Sequence, residues 1–233
     1  VVVVTGAARG LGRATACHFA HAGAQVFLCD KDEMGVTKLA EEVSSFGGKA
    51  VPFAIDLASG GSPEHMIASV WERAHRLDVL VNNARSGTRT SGDSETESSW
   101  DETMAVTLKA ADFSSRAAIR RISGTNGGAI VNVSSVADRL VTGESPAYRA
   151  AKAALTQLTR YLAVLGGRNG VRVNAVAPGF IVKGEHRVRF DSPANRRYRE
   201  AAEFAHPLGR VGAEDDVADA VLFLASERSS LIT

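Results

Sequence analysis

The chain has 233 residues, of which 45% are hydrophobic and 23% are charged, proportions typical of a globular protein that buries a sizeable core. Because 27 Lys and Arg face 26 Asp and Glu, the net charge is only +1. This near-neutral balance argues against nucleic acid and an anionic membrane as partners, and no apolar run approaches the roughly 18 residues of a membrane span.

The two cysteines and the first residues bear on where the protein works. Cys17 and Cys29 show neither the spacing of a metal site nor a disulfide framework. The opening VVVVTG lacks the basic region and the cleavage site of a signal peptide and is typical of a buried strand. We therefore expect two buried thiols, no metal site and a reducing, cytoplasmic location.

Short apolar runs alternate with longer amphipathic segments along the chain. Strands are predicted at residues 1–4, 25–29, 50–54, 79–81, 129–133 and 171–176, and helices at 10–22, 34–46, 63–76, 100–122 and 146–165. Strands that are apolar throughout indicate a sheet covered by helices on both faces. The alternation predicts one α/β domain over residues 1–233, a Rossmann-like, doubly wound parallel sheet in three α/β/α layers. Ser62 and Ser145, each followed by Pro, are predicted helix caps.

The first predicted strand passes directly into a helix through TGAARGLG, a G-x3-G-x-G turn. Glycines tolerate positive φ and let a diphosphate approach the helix N-terminus, where N–H groups and a partial positive charge favour anions. The turn, with Leu11 between its last two glycines, therefore predicts a dinucleotide site formed by Gly6, Gly10 and Gly12. The alternative is a turn that is merely tight.

The ends of the second and third strands predict the adenosine side of that site. Asp30, at the end of strand two, can bind both ribose hydroxyls and would repel a 2′-phosphate, which favours NAD over NADP. The nearby cations Arg9 and Lys31 soften that preference. In AIDL, at the end of strand three, Asp56 and Leu57 are placed beside an adenine ring, although Asp56 could instead be a helix cap.

The fifth strand and the helix after it carry the candidate chemistry. Strand five ends in Ser134 and Ser135, Tyr148 follows, and Lys152 lies one helical turn later on the same face. A lysine ammonium beside a tyrosine favours the phenolate and can bind a nicotinamide ribose, while a serine hydroxyl can hold a substrate oxygen. Y-x-x-x-K alone is a common coincidence, but together with the glycine turn and Ser135 it predicts a hydride-transfer site.

These motifs resemble the short-chain dehydrogenase/reductase family in its compact single-domain branch. TGAARGLG, NNA at 82–84, VNVSS, YRAAK and VRVNAVAPGFI occur in the family's order across nearly the whole chain. The resemblance implies an oxidoreductase that interconverts a secondary alcohol and a ketone, either 3-oxoacyl reductase-like or a hydroxy-compound dehydrogenase. It also implies a homo-oligomer, dimer or tetramer.

The resemblance assigns roles to individual residues. Tyr148 would be the acid in reduction and the base in oxidation, with Ser135 and Lys152 completing the catalytic set. Both Tyr148 and Lys152 would also contact the cofactor. The remaining cofactor contacts implied are Asn83 and Ala84 on the adenosine side and Pro178, Gly179 and Ile181 around the nicotinamide.

Three positions depart from the family pattern. Arg85 stands where glycine is usual and could distort the turn, approach the cofactor or point into solvent. Thr107 stands where an asparagine helps to hold a water linked to the active-site lysine, so we expect an altered rather than an abolished proton relay. Lys183 replaces a threonine and could reach a diphosphate or point outward. These departures favour an alternative function, a catalytically impaired dinucleotide-binding sensor or scaffold, whereas the intact serine, tyrosine and lysine favour an enzyme.

Two polar stretches complete the sequence-based predictions. Residues 183–206 are where the family forms its substrate lid, and they contain six Lys or Arg and four Asp or Glu. These cations could bind a carboxylate, a phosphate or an acyl-carrier substrate, or they could belong to a solvated, mixed-charge helical face. Residues 85–99 are interpreted as a surface connection. The substrate is not identified beyond a small-molecule secondary alcohol or ketone.

Overall fold

The computed structural model describes residues 1–87, 90–123, 127–141 and 145–233. In these residues six strands form one sheet in the order β3-β2-β1-β4-β5-β6, and every neighbouring pair is parallel. The strands are β1 (Val2–Thr5), β2 (Gln25–Asp30), β3 (Lys49–Ala54), β4 (Val79–Asn82), β5 (Gly128–Val133) and β6 (Val171–Val176). The predicted doubly wound parallel sheet is confirmed.

Helices connect the strands and follow the last of them. They are α1 (Gly10–His21), α2 (Glu33–Ser45), α3 (Ser62–Ala74), α4 (Glu97–Met104), α5 (Ala110–Ile122), α6 (Pro146–Gly167), α7 (Gly184–Asp191), α8 (Arg196–Phe204) and α9 (Glu214–Ala225). Within the described residues, none of them is long and apolar enough to cross a membrane.

The sheet separates two hydrophobic cores, because successive residues of a strand point to opposite faces. Val3 of β1 packs into the core that contains Leu162 and other residues of α3, α5 and α6. Its neighbour Val4 packs into the core that contains Phe19 and other residues of α1, α2 and α9. Burial on both faces of the central strands β1, β2, β4 and β5 explains their apolar runs in the sequence, and the three layers follow from the two cores.

Strand order reverses at β1, which lies between β2 and β4. In such sheets a crevice opens outside the carboxyl ends of the strands at the point of reversal. The segments that carry the predicted site residues follow the carboxyl ends of the strands, so the topology brings them to one edge of the sheet.

The two predicted serine caps have different outcomes. Ser145 caps α6 as expected, because its hydroxyl accepts a hydrogen bond from the Tyr148 N–H at 3.2 Å. The prediction for Ser62 is wrong: Gly61, with φ +80°, occupies the N-cap position, and Ser62 is the first helical residue of α3. The Ser62 hydroxyl instead donates to the Ser59 carbonyl at 2.8 Å.

The segment predicted as a helix over 100–122 begins earlier and is not uniform. It begins at Glu97 because Thr96 and Ser99 form a reciprocal capping box at its N-terminus. Between α4 and α5 the chain adopts a π-helical turn, Ala105–Lys109. Such turns are rare and frequently mark functional sites, and this one contains Thr107.

Candidate active site

A cleft of about 780 Å³ lies along the carboxyl ends of the strands. It brings together residues that follow each of the six strands, as the reversal of strand order predicts. All the predicted site residues line it except Gly12 and Thr107. Those that line it are Gly6, Arg9, Gly10, Leu11, Asp30, Lys31, Asp56, Leu57, Asn83, Ala84, Ser135, Tyr148, Lys152, Pro178, Gly179 and Ile181.

The glycine-rich turn has the backbone that its sequence predicts. Gly6 and Gly10 have φ of +67° and +60°, in the left-handed region that favours glycine. Gly12 is needed for a different reason, because a Cβ at this position would lie 2.0 Å from the Gly6 carbonyl oxygen. Gly12 therefore allows α1 to pack against the turn, and it does not itself line the cleft.

Asn83 fastens this turn to the sheet. Its side-chain amide donates to the Thr5 carbonyl at 2.9 Å and to the Gly6 carbonyl at 3.1 Å. Its backbone N–H donates to the Thr5 hydroxyl at 3.0 Å. The side chain of Asn83 thus supports the turn from beneath, in addition to lining the cleft.

Asp30 stands at the end of β2 with both carboxylate oxygens oriented by the backbone. Oδ2 accepts from the Ala8 N–H and Oδ1 from the Asp32 N–H, each at 3.1 Å. Lys31 lies nearby with its ammonium 3.7 Å from the Glu102 carboxylate. A fixed carboxylate at this end of the cleft is suited to two vicinal hydroxyls.

The other predicted adenosine-side residues have simpler surroundings. Asp56 accepts a hydrogen bond from the Ala58 N–H at 2.9 Å, so it closes a local turn while lining the cleft. Arg9 extends toward the loop after β4, where a Cβ on Gly87 would lie 3.9 Å from its guanidinium.

Lys152 is the most deeply buried charged group of the cleft, with 2% of its surface exposed. Its ammonium donates to the Val133 carbonyl at 2.5 Å and lies 5.7 Å from the centre of the Tyr148 ring. Burial, and to a smaller extent the neighbouring Arg85 guanidinium, together lower the pKa of Lys152 to about 7. The lysine therefore can change its protonation state near neutral pH.

The two serines at the end of β5 have separate tasks. Ser134 is buried and donates to the Lys152 carbonyl at 3.2 Å, which ties α6 to the sheet. Ser135 lines the cleft, and its hydroxyl accepts from the Ala137 N–H at 3.1 Å. That acceptor contact leaves the hydroxyl proton of Ser135 available to a substrate oxygen.

The three departures from the family pattern all lie in or behind the cleft. Arg85 lines it and donates to the Ser86 carbonyl at 3.0 Å. Thr107 is 1% exposed, and its hydroxyl has no hydrogen-bond partner among the described residues. Lys183 reaches the glycine-rich turn: its Nζ lies 3.5 Å from the position of a Cβ on Gly10. Of the two orientations considered for Lys183, the structure has the one that faces the turn.

The segment 183–206 forms α7 and α8, and its ends line the cleft through Lys183, Ala205 and His206. Most of its other cations are paired locally or exposed. Arg187 pairs with Asp191 and Arg196 with Glu200, each at 2.7 Å and one helical turn apart. The charge pattern of these helices therefore fits the solvated, mixed-charge face better than an anion site.

Residues 85–99, interpreted from the sequence as a surface connection, also contribute to the cleft and contact α6. Positions 88 and 89 lie outside the described residues. Ser86 and Thr90 line the cleft. Glu95 accepts hydrogen bonds from the Ser145 hydroxyl and from the Ala147 N–H, at the start of α6. Burial alone would raise the pKa of Glu95, but hydrogen bonds from Ser145, Ala147 and Thr90 hold it below its ordinary value.

Comparison with known proteins gives concordant matches over nearly the whole chain. A family model described as enoyl-(acyl carrier protein) reductase matches residues 6–233. The chain is 35% identical over 237 residues to L-rhamnose 1-dehydrogenase (NAD(P)(+)) of Azotobacter vinelandii, and the match covers 100% of this chain and 91% of that protein.

Two solved structures show the same fold with a dinucleotide present. A 3-oxoacyl-[acyl-carrier protein] reductase from Brucella melitensis with bound NAD has a TM-score of 0.85 and 31% identity, covering 100% of this chain and 86% of that one. A 3-oxoacyl (acyl-carrier-protein) reductase from Agrobacterium tumefaciens C58 with NADP bound has a TM-score of 0.90 and 27% identity, covering 100% and 89%. Similar proteins thus bind either dinucleotide.

Proposed function

Because this chain belongs to the short-chain dehydrogenase/reductase family, and is an NAD(P)-dependent oxidoreductase acting on CH–OH groups, we propose that it interconverts a secondary alcohol and a ketone with NAD(H) and uses Tyr148 as the acid/base. The observation that carries this proposal is the joint position of Tyr148, Lys152 and Ser135 on the wall of the cleft that also holds the glycine-rich turn. The proposal favours an active enzyme over the sensor or scaffold considered from the sequence.

The residues of the cleft fit a dinucleotide. Positive φ at Gly6 and Gly10 opens the turn, and among the described residues no side chain caps the first turn of α1, whose N–H groups favour an anion. The Lys183 ammonium lies over this turn. We assign the diphosphate to this region, the adenosine to the end of the cleft with Asp30 and Asp56, and the nicotinamide to the end with Pro178, Gly179 and Ile181.

Three side chains then have separate roles in the reaction. The nicotinamide, when bound, supplies the hydride for ketone reduction or accepts it from the alcohol. The Ser135 hydroxyl donates to the substrate oxygen and orients it. Tyr148 gives its proton to that oxygen in reduction and removes it in oxidation. The Lys152 ammonium favours the phenolate left behind on Tyr148.

Behind Lys152, we propose that the Thr107 hydroxyl holds the water through which the lysine exchanges protons with solvent. A buried hydroxyl with no protein partner among the described residues retains its capacity to donate and accept. A hydroxyl has fewer hydrogen-bonding positions than the amide usual in the family, so the relay is altered and not lost.

The substrate is proposed to be a small secondary alcohol or its ketone, in the range that includes 3-oxoacyl compounds and polyhydroxy compounds. The cleft wall includes the apolar side chains of Val136, Leu140 and Phe180 and the polar side chains of Ser135 and His206. Such a mixed wall suits a substrate with both a hydrocarbon portion and hydrogen-bonding groups.

Replacement of Tyr148 tests the mechanism. Tyr148→Phe removes the proton donor and acceptor but keeps the ring, so turnover should fall by about 10²- to 10⁴-fold while NADH affinity changes little. The measurement is NADH absorbance in a panel of ketones and secondary alcohols, with NADH affinity taken from fluorescence titration. Tyr161→Phe is the matched control, since Tyr161 lies on the same helix with 53% of its surface exposed. Undiminished turnover in Tyr148→Phe would disprove the role of Tyr148.

The cofactor preference rests on Asp30. We expect NADH to bind at least tenfold more tightly than NADPH, which is about 1.4 kcal/mol, because the carboxylate repels a 2′-phosphate. Side-by-side titration with the two reduced dinucleotides measures this ratio. A preference for NADPH would show that Arg9 and Lys31 outweigh Asp30.

We also propose a homo-oligomer, a dimer or a tetramer, located in the cytoplasm. Exposed apolar side chains, Phe113 on α5 at 39% and Val164 on α6 at 68%, support a subunit contact. Cys17 and Cys29 are free thiols, which fits a reducing compartment. Light scattering from the purified protein measures the subunit number.

A further inference from the structure

Tyr148 occupies a helical position that the helix itself does not secure. It is the third residue of α6, in the first turn, where backbone N–H groups have no acceptor within the helix. The first residue, Pro146, has no N–H. The N–H groups of Ala147 and Tyr148 therefore need acceptors from outside the helix if the first turn is to keep a single geometry.

Both acceptors are present, and they are linked to each other. The Ser145 hydroxyl accepts from the Tyr148 N–H at 3.2 Å and donates to one carboxylate oxygen of Glu95. The other oxygen of Glu95 accepts from the Ala147 N–H at 2.9 Å. The Thr90 hydroxyl donates to Glu95 at 3.2 Å and completes its surroundings. One carboxylate, 50 residues away in sequence from Ser145, thus holds the first turn of the catalytic helix.

Lys152 is anchored separately. Its ammonium is bonded to the Val133 carbonyl, and its own carbonyl accepts from the Ser134 hydroxyl. These contacts tie the second turn of α6 to β5 and do not involve Glu95. The distance between the phenol of Tyr148 and the ammonium of Lys152 therefore depends on two independent anchors, and Glu95 belongs to the one that holds the tyrosine.

From these contacts we propose that Glu95 is a positioning residue, which acts through Ser145 and Ala147 to hold Tyr148 in reach of Lys152 and the substrate oxygen. This inference rests on the role proposed above for Tyr148. Glu95 is not among the residues that line the cleft, so it touches neither substrate nor cofactor. A negative charge at a helix N-terminus is favoured by the helix dipole, which adds to the hydrogen bonds.

The experiment compares Glu95→Ala and Glu95→Gln with Glu97→Ala. Glu97 is an exposed carboxylate two residues further on, in the first turn of α4, and serves as the matched control. Each variant is assayed for kcat, KM, the pH profile of alcohol oxidation, NADH affinity and thermal unfolding. Amide exchange of the peptide that covers 145–152 is measured by mass spectrometry on the intact protein, and this measurement needs no substrate.

We expect Glu95→Ala to lower kcat at least tenfold, with NADH affinity within twofold of the wild type. Its oxidation profile should shift to higher pH, because a displaced Tyr148 loses the support of the Lys152 ammonium. Loss of the negative charge alone would shift the profile the other way. Glu95→Gln keeps an acceptor oxygen and should recover part of the lost kcat. The amides of Ala147 and Tyr148 should exchange faster in Glu95→Ala and at the wild-type rate in Glu97→Ala.

A purely structural role would lower thermal stability and the active fraction but leave the pH profile unmoved, and that result would overturn the proposal. Wild-type kcat in Glu95→Ala, or unchanged amide exchange at 145–152, would also overturn it. Tyr148→Phe separates this failure from a failure of the proposed function: if that variant stays active, the role of Tyr148 is wrong, whereas an inactive Tyr148→Phe with a fully active Glu95→Ala refutes only the role of Glu95.

Discussion

At the scale of single residues, Lys152 combines a proposed catalytic role with an energetic cost to the fold. A lysine with 2% exposure has lost most of its hydration, and the hydrogen bond from its ammonium to the Val133 carbonyl replaces only part of it. The pKa of about 7 expresses this cost, since burial favours the neutral amine over the ammonium. A group placed in this way carries a pH-dependent contribution to stability.

The sign of that contribution can be predicted. Between pH 7 and the ordinary lysine value of 10.5, the unfolded chain binds more protons at Lys152 than the folded chain, so stability rises with pH across this window. Lys152→Met removes the titration. The unfolding temperature of the variant minus that of the wild type should therefore decrease as pH rises from 7 to 9.

Thermal unfolding of the cofactor-free protein measures this difference. Lys38→Met, at an exposed lysine of α2, is the control and should give a difference that does not vary with pH. A pH-independent difference for Lys152→Met would show that Lys152 has an ordinary pKa in the folded protein.

Lys183 illustrates how a residue's neighbours decide its role. In the sequence it is one of six cations in a polar segment, but in the structure its ammonium lies near Gly10 and 3.6 Å from the Glu185 carboxylate. Its position at the N-cap of α7 directs it back toward α1, whereas Arg187 and Arg196 pair with carboxylates of their own helices.

At the scale of secondary-structure elements, the connection from β1 to α1 is the most constrained. The turn has two glycines with positive φ and a third, Gly12, whose missing side chain lets α1 lie against the Gly6 carbonyl. The contact is with backbone, which cannot rotate away as a side chain could. Any Cβ at Gly12 must therefore displace the helix or the turn.

Gly12→Ala should consequently destabilise the protein by about 1–3 kcal/mol through overpacking and weaken NADH binding as the turn moves. Gly167→Ala is the contrasting variant, since a Cβ there meets nothing within 4 Å and Gly167 is the last residue of α6. Replacing that glycine should leave stability unchanged or raise it by up to about 1 kcal/mol. Urea unfolding and NADH titration of both variants provide the comparison. Equal behaviour of the two would show that the turn tolerates a Cβ.

The α4 to α5 segment shows an element whose detail follows from tertiary contacts. Its amphipathic pattern predicts one helix from residue 100, whereas the capping box of Thr96 and Ser99 begins the helix at Glu97. The hydrophobic periodicity of the segment does not indicate the π-helical turn at Ala105–Lys109. This turn accommodates one extra residue and buries Thr107 behind the cleft, which a continuous α-helix would orient differently.

At the scale of the whole molecule, the cleft is a consequence of strand order. The chain adds β2 and β3 on one side of β1 and then β4, β5 and β6 on the other. The loops that follow the strands on the two sides of β1 run in opposite directions, and the cleft lies between them. Acidic and basic side chains both line this cleft: Asp30, Lys31 and Asp56 lie at or just after the ends of β2 and β3, and Arg85, Lys152 and Lys183 lie on the segments after β4, β5 and β6. Residues far apart in the sequence therefore share one cleft because all six strands end at the same edge of the sheet.

Much of this protein could be predicted from local patterns. The run of apolar strands and amphipathic helices predicts the sheet and its layers, because the periodicity of a segment reflects which of its faces are buried. The Tyr148 and Lys152 pair is equally local, since residues four apart on a helix share a face wherever the helix lies. The glycine turn needs only neighbouring residues to specify its backbone. Sixteen of the residues predicted either from these patterns or from the family resemblance line the cleft.

Contacts between distant segments could not be predicted in this way. Glu95 is hydrogen-bonded to Ser145, 50 residues away, and Asn83 to Gly6, 77 residues away. No periodic pattern of residues along the sequence indicates contacts over such separations. The same holds for the orientation of Lys183 and for the burial of Thr107, which depend on how helices lie against the sheet. Side-chain packing is set by every neighbour at once, and those neighbours are known only when the chain has folded. The sequence by itself thus determines the candidate pair Tyr148 and Lys152, while the hydrogen bonds with Glu95, Ser145 and Val133 around that pair depend on the tertiary structure.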